Sequence, residues 1–231
     1  GPDGEVYSNA SSRTWGASGL AGVWAESNTR DAIFQAFRRK ETFSTSGPHI
    51  PVRFFAGYGL DPSLSSDADN ISKLYEGAVP MGSDLGADGD RSPDFFVWAM
   101  RDPDSGTLQR LQIIKGWVEN GEVAEQVYDI ACSDGGTVDP ETHRCPDNGA
   151  RVDLSTCEPT PGKGADELVS VWTDPDFIVG QHAFYYARVL ENPICRWSTW
   201  DALRAGTPPR PDLAASIQER AWSSPIWVRP R

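Results

Sequence analysis

The sequence has no apolar run approaching the ~20 residues that a membrane-spanning helix needs, and no charged-then-apolar export segment at its head. It has no C-x-x-C pair, no H-x-H and no H-E-x-x-H. The first absence argues against a zinc ribbon, and the others against a catalytic metal cluster built from this chain alone. Basic charge is also scarce: 21 Lys and Arg stand against 33 Asp and Glu, for a net −12. The one basic stretch, Arg38-Arg39-Lys40, closes a helical pattern, where cations suit the negative end of the helix dipole. Phosphate binding needs a basic face, so neither nucleic acid nor a membrane surface is expected as a partner.

What is present is a chain of 231 residues, long for one ordinary domain and within the range of a single all-β domain. Asn28 reads as an N-cap, with Asp31 as its capping-box partner, and Ile33, Phe34 and Phe37 form one apolar face of a helix ending near Lys40. Strand-like runs follow at 42–46 and 50–55, separated by Gly47-Pro48. A helix-then-strand unit at the head of a chain needs earlier strands to pack on. With a start of Gly1-Pro2, the sequence therefore reads as the end of something larger.

Residues 57–93 are rich in Gly, Ser, Asp and Pro and read as loop. The clearest β signal lies at 94–101, 110–118 and 123–131, the last two joined by Glu119-Asn120-Gly121-Glu122, the pattern of a tight hairpin. Strands return at 168–173 and at 183–190. Both faces of the second carry bulk, which makes it central. Ser198 to Asp201 reads as a capping box opening a short helix that Gly206 ends, and 217–228 as a last strand kinked at Pro225. Many short strands without α/β alternation predict a mainly β fold, an antiparallel β-sandwich, after the leading helix-strand unit.

Cys132, Cys145, Cys157 and Cys195 are even in number, which favours disulfides and an oxidising compartment over four reduced, buried thiols. Of the three pairings open to four cysteines, Cys145 with Cys157 would clamp the long loop 132–164. Cys132 with Cys195 would then tie that loop's root to the strand at 183–190. Nine tryptophans predict a Trp-rich core, the other reading being an exposed aromatic row that stacks on sugar rings.

Chemistry-bearing residues are sparse. His49, His143 and His182 lie far apart in sequence. His143 reads as a solvated loop residue. His49, after the Gly-Pro turn, reads either as an ordinary strand start or as a residue at the mouth of a neighbouring active site. Asp67 and Asp69, and Asp84 with Asp88 and Asp90, lack the twelve-residue calcium-loop pattern and read as solvated turns. Ser18, within Gly16-Ala-Ser-Gly-Leu20, falls short of a nucleophile elbow.

Several segments carry a resemblance: Ser18-Gly-Leu-Ala-Gly-Val-Trp-Ala-Glu26, Phe96-Val-Trp-Ala-Met-Arg-Asp-Pro-Asp-Ser105, Trp172-Thr-Asp-Pro-Asp-Phe177, Tyr185-Tyr-Ala-Arg-Val-Leu-Glu-Asn-Pro193 and Gln218-Glu-Arg-Ala-Trp-Ser-Ser-Pro-Ile-Trp227. In order, over nearly the whole chain, they resemble the C-terminal third of the bacterial family catalogued as domain of unknown function 3604. More distantly, Arg-x-x-x-Phe-x-Thr-x-Gly-Pro at 39–48 is similar to the carbaryl hydrolase-like branch of the polymerase-and-histidinol-phosphatase (PHP) class.

The resemblance implies a longer, commonly exported parent, in which a PHP-like metal-binding α/β barrel precedes a β-sandwich. Such enzymes cleave phosphoesters or related esters with a metal-activated water. Residues 1–48 would be the last unit of that barrel and 49–231 the sandwich. The metal ligands, and the divalent metal itself, are expected upstream, with no cofactor held by this chain alone. Of residues 1–26, the part expected to approach the active site, Arg13, Trp15, Trp24 and Glu26 are the candidates, Arg13 as an anion contact. The expected function is the C-terminal portion of a metal-dependent hydrolase, inactive by itself. The alternative is an exported sandwich with a binding or structural role and no catalysis. Expected partners are the N-terminal portion of the same parent and, as an open option, further copies in a homo-oligomer; the expected location is periplasmic or secreted.

Overall fold

Strict alternation along 183–191 organises the molecule. In the computed structural model, which describes Gly4 and residues 18–229, this segment is strand β10 (Ala183–Glu191). Tyr185, Ala187 and Val189 are fully buried on one face, while Phe184, Tyr186, Arg188 and Leu190 are half-buried on the other. β10 is central, as its two bulky faces require: β7 (Leu108–Glu119) pairs along one side, β13 (Arg220–Ser223) and β14 (Ile226–Arg229) along the other. The eight-stranded sheet is completed by β1 (Leu20–Val23) and β2 (Thr42–Thr45) beyond β13, β5 (Asp84–Gly86) parallel to β14, and β8 (Glu122–Cys132) beyond β7.

A second, four-stranded sheet runs β4 (Val79–Pro80), β3 (Val52–Gly57), β6 (Asp94–Met100), β9 (Glu167–Thr173), all antiparallel. The two sheets form the sandwich, and their inner faces meet in one apolar core containing Phe54, Phe95, Val97, Ile113, Tyr185 and Val189. The β7–β8 hairpin turns at Asn120 and Gly121, both at positive φ (53° and 85°), the conformation that an Asn-Gly turn supplies. Pro225 divides the last run into β13 and β14. Before it the strand borders β2, after it β5, so the kink lets one strand serve two neighbours.

Three local expectations change. The stretch 57–93 is not all loop: a 3₁₀ turn at Pro62–Ser66 and helix α2 (Asn70–Gly77) cover the outer face of the second sheet, where Leu64 and Leu74 pack on Phe55 and Phe96. Helix α1 (Arg30–Arg39) is capped by Thr29, whose hydroxyl accepts from Ala32 N–H, and not by Asn28. Helix α3 (Trp197–Ala205) has Arg196 at its N-cap position, placing Ser198 inside its first turn, while Gly206 ends it at φ 65° as expected. The remaining pair of strands, β11 (Ile194–Cys195) and β12 (Ser216–Ile217), flanks α3.

All four cysteines are bridged, but the pairing is Cys132–Cys145 and Cys157–Cys195, correcting the expected Cys145–Cys157 and Cys132–Cys195. After Cys132 the loop doubles back along β8. Asp129 N–H donates to His143 C=O, and the Asp129 carboxylate accepts Cys145 N–H at 2.7 Å, which sets Cys145 beside Cys132. That leaves Cys157 to reach β11. The tryptophans also depart from expectation: each of the eight described, all but Trp15, keeps some exposure. Trp24, Trp117 and Trp172 pack on the main core from its margins, and no tryptophan fills it. Their size and their need for an N–H partner hold them at the edge. Two disulfides are consistent with an oxidising compartment. No described helix is long and apolar enough to cross a membrane.

Glu191, at the end of β10, has no exposed surface. Oε2 accepts from Ser105 Oγ (2.6 Å) and Gly106 N–H (3.2 Å), whereas Oε1 has no partner among the described residues. Burial, reinforced by the nearby Glu219 and Asp102 carboxylates, raises its pKa from 4.5 to about 7. Because the folded value is the higher one, this group's stabilisation is complete below pH 4.5 and is lost as pH rises through about 7. The loss amounts to about 3 kcal/mol. Glu191→Gln removes that titration. The stability difference between wild type and variant should shift by about 3 kcal/mol in favour of the variant from pH 4.5 to pH 8, read by urea melts. A constant difference would show that Glu191 titrates normally.

Candidate functional site

An interlocked set of polar residues lies where β1, the end of α1 and the second sheet converge. Trp24, just past β1, donates its indole N–H to Val52 C=O at 2.7 Å, which fixes the ring against β3 and leaves one face for a cation. Arg53 occupies that face, its guanidinium carbon 3.4 Å from the ring centroid. Val52, Phe54 and Ala56 point into the core, so strand alternation sends Arg53 outward. Arg53 then donates to Tyr75 Oη of α2 at 2.8 Å and lies 3.5 Å from Glu41.

Glu41, 3% exposed, follows Lys40, whose left-handed conformation (φ 59°) ends α1. Its carboxylate accepts from Tyr75 Oη and pairs with Arg39 at 3.4 Å. Burial, then the hydrogen bond to Glu41, pushes the Tyr75 hydroxyl up to about 12, so it stays protonated and donates at neutral pH. Burial lowers the Arg53 pKa, an effect that its Tyr75 and Glu41 contacts oppose.

Two clefts share Trp24 and Arg53. The larger, about 550 Å³, is lined by Trp24, Glu26, Arg39, Glu41, Arg53 and Tyr75. The smaller, about 370 Å³, runs past Trp98, Asn70, Ile71 and Glu167. Such an arrangement can bind a polar or planar group against a fixed cation. Among the described residues, its one hydroxyl set against a carboxylate, Tyr75 Oη on Glu41, is held protonated with its pKa raised to about 12, so it is a donor and not an activated nucleophile.

Of the expected site residues, Trp24 and Glu26 meet in this cleft. His49 does not join them: its backbone N–H and its Nδ1 contact Asp102 Oδ2 at 2.7 and 3.2 Å, and its side chain is 84% exposed. Arg13 and Trp15 lie outside the described residues. Arg39, Glu41, Arg53 and Tyr75 were not anticipated. An arginine inside the apolar run 50–55 was the available signal for Arg53; Tyr75 had none, because its helix was read as loop.

The acidic turns are otherwise engaged: Asp67 pairs with Lys73, Asp84 with Arg229 and Asp88 with Arg91. Ser18 lies in coil before β1 and not between a strand and a helix. Among the described residues, no group of three or more His, Cys, Asp or Glu side chains is placed to hold a metal ion.

The face of α1 opposite its buried Ala36 is open. Phe34 is 56% and Phe37 51% exposed, and the helix packs principally against β1.

No curated protein and no solved structure matches the chain. A family model described as "Protein of unknown function (DUF3604)" matches residues 3–230, nearly the full length, and the chain belongs to that family.

Proposed function

We propose that this chain is the C-terminal portion of a metal-dependent hydrolase acting on a phosphoester or related ester, with the metal ligands on an upstream part of the same parent. The single observation that carries this reading is the apolar stripe of α1. Two phenylalanines that are more than half exposed on one short helix are costly in water and useful in an interface. Family membership and the PHP-like pattern at 39–48 support the same reading. The described residues do not form a metal site, so no metal-dependent step is assigned to them.

In this proposal the upstream part docks on α1, and the neighbouring cleft of Trp24, Glu26 and Arg53 faces it. The chain alone is inactive, and the parent is exported, as the two disulfides favour.

Phe34→Glu combined with Phe37→Glu tests this. Both side chains are largely exposed, so the isolated chain should lose less than about 1 kcal/mol of stability. Affinity for the separately expressed upstream part should fall at least about a hundredfold, and phosphodiester hydrolysis by the mixture with it. Unchanged association would remove α1 from the interface; hydrolysis by the chain alone would remove the proposal.

A further inference from the structure

A second groove shares no lining residue with the Trp24 cleft. It opens where β7 and β14 end and β10 begins, holds about 660 Å³, and is lined by residues that include Gly116, Trp117, Gln181, His182, Phe184 and Trp227. Gly116, Phe184 and Trp227 are register partners across three adjacent strands. The glycine has a clear physical role: a Cβ at 116 would collide with the Phe184 ring, so its absence lets that ring lie across β7. Tyr186, two residues along the same face, holds its ring 11° from parallel to Phe184 with centroids 6.4 Å apart. Trp227 flanks Phe184 on the other side, with Lys40 Nζ 5.6 Å from its ring centroid. The outcome is a half-exposed aromatic floor, and Val118 (65% exposed) and Val123 (84%) stand at its rim.

Polar chemistry distinguishes this floor from a purely apolar surface. Gln181 lines both the groove and an adjoining pocket of about 310 Å³, and its Oε1 is buried with no partner among the described residues. A buried carbonyl oxygen without a donor is unfavourable, and an occupant that supplies a hydroxyl corrects this. His182 and Arg229 add further polar groups. Among the described residues, no carboxylate lines the groove, although the chain carries a net −12.

From this geometry we infer that the groove binds an oligosaccharide. A pyranose ring offers a flat C–H face to the aromatic floor and hydroxyls at its edge, one of which donates to Gln181 Oε1 once the half-buried Gln181 side chain turns toward the groove. A hydrocarbon ligand would fit the floor and leave that oxygen unpaired. The inference does not rest on the hydrolase reading and can fail or stand independently of it.

The test applies the disulfide-intact chain to a glycan array spanning neutral, amino and acidic polymers, followed by calorimetric titration with cellohexaose, chitohexaose and hexagalacturonate. At least one class should bind and shift the tryptophan fluorescence. Phe184→Ala and Gln181→Leu should each weaken binding about tenfold, equivalent to about 1.4 kcal/mol. Gln181→Leu lies in a loop outside the core, and an unchanged melting temperature would separate lost contacts from lost fold. Absence of binding across the array overturns the inference. So does binding indifferent to both substitutions, or occupation by an aliphatic probe with no saccharide competition.

Discussion

Lys115→Met should destabilise the sandwich by about 3–5 kcal/mol, the cost of stranding one half of a buried ion pair. Lys115 lies on the inner face of β7 and is 2% exposed. Its Nζ donates to Asp174 Oδ2 and to Asp176 C=O, each at 2.7 Å. The same Asp174 oxygen accepts Tyr185 Oη at 2.7 Å, and Tyr128 Oη donates to Asp176 at 2.8 Å. Burial and the Asp174 charge raise the Tyr185 pKa, so its hydroxyl remains a donor. Remove the ammonium, and a buried carboxylate keeps only neutral donors.

Two outcomes follow from that picture. In urea melts, Lys115→Met should fall well below wild type at pH 8. The double variant Lys115→Met, Asp174→Leu should recover much of the loss, since no charge is left buried. A single variant within about 1 kcal/mol of wild type would show that the pair is solvated and the network unimportant.

Cys157→Ser with Cys195→Ser should cost about 4 kcal/mol, against about 3 kcal/mol for Cys132→Ser with Cys145→Ser. The order follows from the loops closed, 38 residues apart in sequence for the first bridge and 13 for the second. The longer bridge ties the excursion after Cys145 to β11 and α3, regions otherwise joined here by side-chain bonds such as Asn148 Nδ2 to Asn192 Oδ1 at 2.9 Å. Denaturant midpoints should therefore fall further for the Cys157–Cys195 variant, with trypsin cutting first at Arg151 or Lys163. A reversed order would mean that loop-closure entropy does not govern these bridges.

The sequence was informative wherever a local rule sufficed. Asn120-Gly121 dictates a turn, two bulky faces require β10 to be central, and Pro225 cannot continue a ladder. It was uninformative where chain reversal decides the partner. Asp129 holding Cys145 N–H against β8 is a contact between residues sixteen apart, and no spacing rule announces it. Helix α2 was hidden because its eight residues include Ser72 and Gly77 and bury Leu74 alone. Missing that helix meant missing Tyr75, and with it the network around Glu41. Trp24 and Glu26 were named only through the family resemblance, and they line one cleft. His49, read either as a strand start or as a residue at the mouth of a site, rests on Asp102 and lines neither Trp24 cleft.

Most direct for the central claim is the composition of the material isolated from its source, by intact mass and size exclusion, with metal content read on the same peak. The account predicts this chain joined to, or eluting with, an upstream chain that carries a bound divalent metal. A single metal-free species with no upstream partner would contradict it and leave a sandwich module whose activity is binding alone.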